Sequence, residues 1–158
     1  MSAAAWLAQP HEAETVARLL VEFRDWYGRE WPSDNAILAA VERLIEQRDS
    51  EYLLATPGDD SPPAGACQLR YRFSVWYAAE DCWLEDLYVR DPARRRGVAA
   101  ALVDAAIERA RERGCRRVEL DVNEANPAAL ALYERAGFAV SRKPPGGRDV
   151  LMRLDLPT

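Results

Sequence analysis

The sequence predicts an α+β fold: a mixed, mostly antiparallel sheet with parallel strands at its centre and helices on both faces. Three observations carry that prediction. Apolar residues recur at intervals of three and four over 11–27 and again over 33–45, the stripe of amphipathic helices. Three apolar runs follow, YLLAT (52–56), ACQLRYRFSVWY (66–77) and CWLEDLYVR (82–90), separated by turn-rich links that suit antiparallel neighbours. From residue 82 onward strand and helix alternate, which makes the crossing there parallel.

The elements can be justified in order. Residues 4–8 form a short first strand. Val16, Leu19, Leu20, Phe23 and Trp26 mark one face of a helix from His11 to about Tyr27, stopped near Gly28. Ser33 is placed to N-cap a second helix through Ile37, Val41, Leu44 and Ile45. Within 66–77, Leu69, Tyr71, Phe73 and Val75 alternate as one face of a strand. Residues 97–113 form a long helix with Val98, Leu102, Ala106, Ile107 and Ala110 inward, closed by Gly114. A strand at 116–122, a helix from Pro127 to about Ala136 and two closing strands near 138–142 and 149–155 complete the chain. PGDDSPPAG (57–65) and KPPGG (143–147) are turns between strands, so one domain over 1–158 is expected.

The chain has 158 residues, 49% hydrophobic and 30% charged, enough to bury one sheet with its helices. No stretch approaches the roughly 18 uncharged apolar residues that span a bilayer. MSAAAWLAQPHEAE lacks the basic and apolar regions of a signal peptide, so the expected location is cytoplasmic, with no membrane partner. A net charge of −5 argues against nucleic acid as a partner. Cys67, Cys82 and Cys115 are odd in number and form no CxxC, which reads as small buried hydrophobes. His11, the only histidine, follows Pro10 at a helix start, a solvated position that leaves His-based triads and metal sites without a carrier. No metal is expected.

Two segments carry chemistry. In ARRRGVAAAL, Gly97 lets the chain turn sharply into a helix whose first-turn N–H groups and dipole favour an anion, and Arg94, Arg95 and Arg96 add charge-assisted donors. A pyrophosphate would fit there, although no GK[ST] makes it a nucleotide P-loop. In NEANPAALALYERAGF, Asn126 can cap a helix, Pro127 suits its first position and Gly137 its stop. Tyr133 follows Leu130 by three, so its ring lies toward the sheet.

Together these segments resemble the GNAT superfamily of acyl-CoA-dependent N-acyltransferases. The Arg/Gln-x-x-Gly-x-Gly/Ala pattern stands as Arg94-Arg95-Arg96-Gly97-Val98-Ala99, with Ala99 where many members have Gly. The downstream signature stands as Asn126, Ala129, Leu130, Tyr133 and Gly137-Phe138, one helix and one strand later. Within that superfamily, LEDLYV is similar to the corresponding strand of spermidine/spermine N-acetyltransferases and their bacterial relatives. The resemblance implies a GNAT-type sheet with splayed central parallel strands and acetyl-CoA as cosubstrate. The cofactor would lie between strand residues 87–89 and 118–122. Leu87, Tyr88 and Val89 would offer backbone to the pantetheine arm; Arg94, Arg95, Arg96, Gly97, Val98, Ala99 and Ala100 would hold the pyrophosphate; Asn126 would touch the cofactor. Dimers are common among members, which leaves a homodimer open.

An alkyl ammonium with a pKa of about 10.4 must lose a proton before it attacks. A carboxylate at the cleft can attract the cation and accept that proton. Glu85 is the candidate base, and Tyr133 is the candidate acid toward the departing thiolate. Adjacent strand residues face opposite ways, so Glu85 and Asp86 share a side only if a bulge intervenes. Glu85, Asp86, Glu30 and Trp31 are candidates for the acceptor side, with Asp25, Tyr27, Trp76 and Tyr77 beyond them. The expected acceptor is a small polyamine or other primary amine. A protein N-terminal or lysine acetyltransferase, and a CoA-binding sensor without turnover, are the alternatives.

Overall fold

The computed structural model describes residues 2–58, 60–141 and 149–158. Its elements, in chain order, are β1 (Ala4–Leu7), α1 (Ala13–Trp26), α2 (Asp34–Leu44), β2 (Ser50–Thr56), β3 (Gly65–Ser74), β4 (Ala79–Val89), α3 (Val98–Glu112), β5 (Val118–Glu119) and α4 (Pro127–Arg135). Single 3-10 turns at Pro10–Glu12 and Asp91–Ala93 precede α1 and α3. The strands lie in chain order, antiparallel from β1 to β4 and parallel between β4 and β5. The α+β reading of the sequence therefore holds.

Alternation along the strands builds two cores. Tyr52, Leu54, Ala66 and Tyr88 face α1 and α2, where Val16, Leu19, Ile37 and Val41 are buried against them. Leu53, Ala55, Cys67, Leu69, Cys82 and Leu84 face α3 and meet Val98, Leu102, Ala106 and Ala110. Each such Leu or Val contributes about 1.5–3 kcal/mol by leaving water. The α2 start follows the sequence: Ser33 Oγ accepts from Ala36 N at 3.2 Å. Gly65 lets α3 approach closely, since a Cβ there would lie 2.6 Å from Val98 Cγ1.

The strands from β3 onward depart from expectation at several points. β3 ends at Ser74, leaving Val75 and Trp76 in an exposed turn. β5 shrinks from 116–122 to two residues. Neither 138–141 nor 149–155 is a strand; residue 142 and the KPPGG turn lie outside the described residues. Val150, Met152 and Leu154 carry strand-like alternation, but they are exposed and hydrogen-bond to no strand among the described residues. A period-2 pattern becomes a strand only with a partner ladder. No described helix is long and apolar enough to cross a membrane.

Candidate active site

β4 is interrupted where its two carboxylates stand. Its ladder pairs Glu85 with Gln68 and Tyr88 with Ala66, so Asp86 and Leu87 together oppose the single residue Cys67. This is a β-bulge, and Asp86 adopts the left-handed conformation it requires, with φ 56°. The regular alternation that would separate adjacent side chains is broken. Both carboxylates act on the hydroxyl of Tyr52, on the α1/α2 side of the sheet; burial first, then Asp86, push that phenol up to about 12.

The two carboxylates differ in environment. Glu85 Oε1 accepts from Arg70 Nε at 2.9 Å. The Asp86 carboxyl lies above its ordinary range, chiefly through desolvation and then through Glu85, with Arg70 acting in the other direction. Asp86 as a residue is nevertheless open to solvent. Water reaches the residue, while surrounding chain replaces part of the hydration of its carboxyl.

On its other side β4 loses its neighbour. Pairing with β5 consists of Cys82 with Val118 and Trp83 with Glu119, and stops there. Arg90 N donates to Ala64 O on the β3 side at 2.9 Å, so alternation turns the backbone of Val89 and Leu87 toward the opening. Tyr88 differs: its carbonyl lies beside Gly65, and its ring stacks on Phe23 at 5.1 Å. Val89 O is occupied by Arg94 Nε at 3.0 Å.

At the entrance to α3, Gly97 has φ 84° and Arg95 φ 64°. Gly97 supplies no side-chain cap, and the first intrahelical bond is Ala101 N to Gly97 O at 3.0 Å. The N–H groups of Val98, Ala99 and Ala100 thus have no backbone acceptor among the described residues. Arg95 and Arg96 are exposed without an ion pair there, whereas Arg94 pairs with Asp91 and lies over Trp26. Asn126 caps α4, its side chain accepting from Ala129 N at 3.1 Å.

Tyr133 is half-buried in α4, with its ring edge-on to Phe138 at 5.8 Å. Burial, then Cys67, holds its hydroxyl above the ordinary value. Cys67 is the β3 residue facing the bulge, within the core on the α3 side. The phenol and the carboxylates therefore approach the bulge from opposite faces.

Other candidates sit apart. Glu30 and Trp31 are exposed between α1 and α2, and Trp31 carries Arg29 over its ring. No described contact joins either to Glu85 or Asp86. Asp25 pairs with Arg24, Tyr27 packs on Phe23, Tyr77 lies under Arg117 and Trp76 is exposed. His11 is exposed. Cys67 and Cys82 are buried, and burial pushes the Cys82 thiol up to about 12, far from a reactive thiolate. Sequence reasoning missed Arg70 and Tyr52. Arg70 carried a signal: it is a charge set between Leu69 and Tyr71 in an alternating strand. Tyr52, inside the uniformly apolar YLLAT, carried none.

A cavity of about 480 Å³ near Glu51, Arg109 and Arg113 is larger than the one of about 370 Å³ beside Arg70 and Trp83. In the larger one Glu51, Glu80, Arg109 and Arg113 are engaged with one another, so they offer no unpaired charge to a ligand. Among the described residues no cluster of three metal-ligating side chains occurs.

Residues 17–138 match the model of the Acetyltransferase (GNAT) family. A thialysine N-epsilon-acetyltransferase of Caenorhabditis elegans is 29% identical over 140 residues, 87% of this chain and 83% of that one. The L-ornithine N5-acetyltransferase NATA1 of Arabidopsis thaliana is 30% identical over 103 residues, 65% of this chain and 45% of that protein. A crystal structure from Arthrobacter sp. FB24, described as an acetyltransferase, superposes with a TM-score of 0.83 at 29% identity, covering 97% of this chain and 96% of that one. The chain belongs to the GNAT family and is an N-acetyltransferase.

Proposed function

We propose that this enzyme moves the acetyl group of acetyl-CoA to a primary amine of a small molecule, an amino-acid-like amine or polyamine, by direct attack within a ternary complex. The observation that carries this reading is the bulge at Asp86 beside the unpaired stretch of β4, with carboxylates on one face and Tyr133 on the other. The residues present fit the cosubstrate. The uncapped start of α3 with Arg95 and Arg96 suits a pyrophosphate, and the Leu87 and Val89 edge suits an amide-bearing arm added as a strand would be.

In the reaction, the arriving ammonium is held by Asp86, whose costly ionised form gains most from a cation. Glu85, with one oxygen on Arg70 and the other unengaged among the described residues, takes the proton. The neutral amine attacks the thioester carbon, forming the C–N bond, while the Leu87 N–H stabilises the oxyanion. As the C–S bond breaks, Tyr133, kept neutral by burial, delivers its proton to the sulfur, and the attacking nitrogen releases its second proton to solvent to leave the neutral amide. Glu85 returns its proton to solvent, and Tyr133 is reprotonated from it. The likeness of LEDLYV to polyamine acetyltransferases and the relatives that act on thialysine and ornithine support a diamine-like acceptor.

The test is CoA release from acetyl-CoA across a panel of polyamines, diamines, amino acids and a lysine peptide. Turnover with small diamine-like acceptors and little with the peptide is expected; acetyl-CoA binding without turnover on any amine would overturn the reading.

A further inference from the structure

The cavity of about 370 Å³ beside Arg70 and Trp83 is bordered by an unpaired guanidinium and by a buried carboxylate oxygen that has no hydrogen-bond partner among the described residues. Its wall is made by Arg70, Arg72, Asp81, Cys82, Trp83 and Glu119. Asp81 is only 5% exposed, and its Oδ1 is buried with no hydrogen-bond partner, while Oδ2 accepts from Arg117 at 2.9 Å. Arg117 is shared further with Glu119 at 3.3 Å. Arg72 stands directly opposite Asp81 in the β3–β4 ladder, yet it is exposed and makes no ion pair or hydrogen bond among the described residues. A lone oxygen of a buried carboxylate costs free energy until a donor arrives. An unpaired guanidinium beside it offers a fork for a carboxylate.

We infer that Arg72 and Asp81 form an anchor for the α-carboxylate and α-ammonium of a diamino acid whose side-chain amine is the acetyl acceptor. This rests on the reading of the chain as a small-amine N-acetyltransferase. The spacing supports it. Asp81 and Glu85 lie on one face of β4, four residues or about 13 Å apart. Removing a hydrogen-bond length of about 2.9 Å at each end leaves roughly 7 Å between the two nitrogens. A zigzag of about six bonds of about 1.5 Å covers that span, the length of a lysine-like chain. Trp83 stands between the two carboxylates on the same face, paired with Arg70, and supplies an apolar floor for the methylenes.

The test compares kcat/KM for lysine and ornithine with that for cadaverine and putrescine, their decarboxylated counterparts, and for a monoamine. Wild type is expected to prefer the diamino acids by about 10- to 100-fold, the effect of one charge-assisted contact, expressed in KM. Arg72→Gln, at an exposed unpaired position, should bring that ratio to near one. Asp81→Asn keeps an acceptor for Arg117 and should raise KM for diamino acids and diamines alike, but not for the monoamine. Circular dichroism confirms that both variants fold. A wild type indifferent to the carboxylate, or a preference that survives Arg72→Gln, overturns the anchor and leaves the acetyltransferase reading standing. An enzyme that releases no CoA with any of these amines overturns both.

Discussion

Two groups of charges on the same sheet behave in opposite ways. At one end Glu51 accepts from Arg109, at 2.6 and 2.9 Å, and from Tyr71 at 2.6 Å, with Arg113 at 3.8 Å. Burial works to raise its pKa, but these partners outweigh it and hold the carboxyl below its ordinary value. At the bulge the cation that acts on Asp86 among the described residues is Arg70, already bonded to Glu85, and the Asp86 carboxyl is raised. The same residue types therefore serve stability where every valence is met and, in the mechanism proposed above, chemistry where some are left for a ligand.

Substitutions can break this contrast. Tyr133→Phe should lower kcat by about 100-fold, the lower end for a lost general acid, with acetyl-CoA affinity unchanged in a titration. Unchanged kcat would remove Tyr133 from the reaction. Glu51→Gln removes the carboxylate that Arg109 and Arg113 share, leaving them Glu112 and Glu80, and should cost about 1–2 kcal/mol in urea unfolding, below the range for fully buried pairs because those partners remain and Arg109 is 30% exposed. Gly97→Val forces a β-branched residue to φ 84° and should cost about 1–2 kcal/mol, appearing mainly as a raised KM for acetyl-CoA.

The smallest effect is in pH dependence, where the two groups differ in sign. Glu51 has a folded value below 4.5, so its stabilisation is complete above that pH and is lost as pH falls through the folded value. Asp86 has a folded value above 3.8, so its ionisation penalises the fold as pH rises from there through the folded value. Thermal melts across pH 3–7 should show Glu51→Gln flattening the acid limb and Asp86→Asn slightly raising Tm near neutrality. Asn tolerates the left-handed backbone at that position.

Most of the frame was legible in the sequence because helical stripes and strand alternation are set by burial, and burial was regular at Val16, Leu19, Leu102 and Leu69. The start of α3 was legible because Gly97 follows three arginines. The bulge was legible only as a condition: the adjacent charges Glu85 and Asp86 break the alternation of LEDLYV, but which residue is extra appears only against the register of β3. The charges of the proposed anchor were hidden likewise, since Arg72 and Asp81 come opposite each other only in the β3–β4 register. The closing strands failed for the converse reason, a pattern with no partner ladder among the described residues.

The contrast between the two charged groups is tested most directly by measuring kcat and unfolding free energy together for Glu85→Gln and Glu51→Gln. Glu85→Gln should lose about 100-fold or more in kcat with its unfolding midpoint nearly unmoved, and Glu51→Gln should do the reverse. A Glu85→Gln enzyme that turns over normally, or a Glu51→Gln protein that stays stable but loses kcat, would contradict the account.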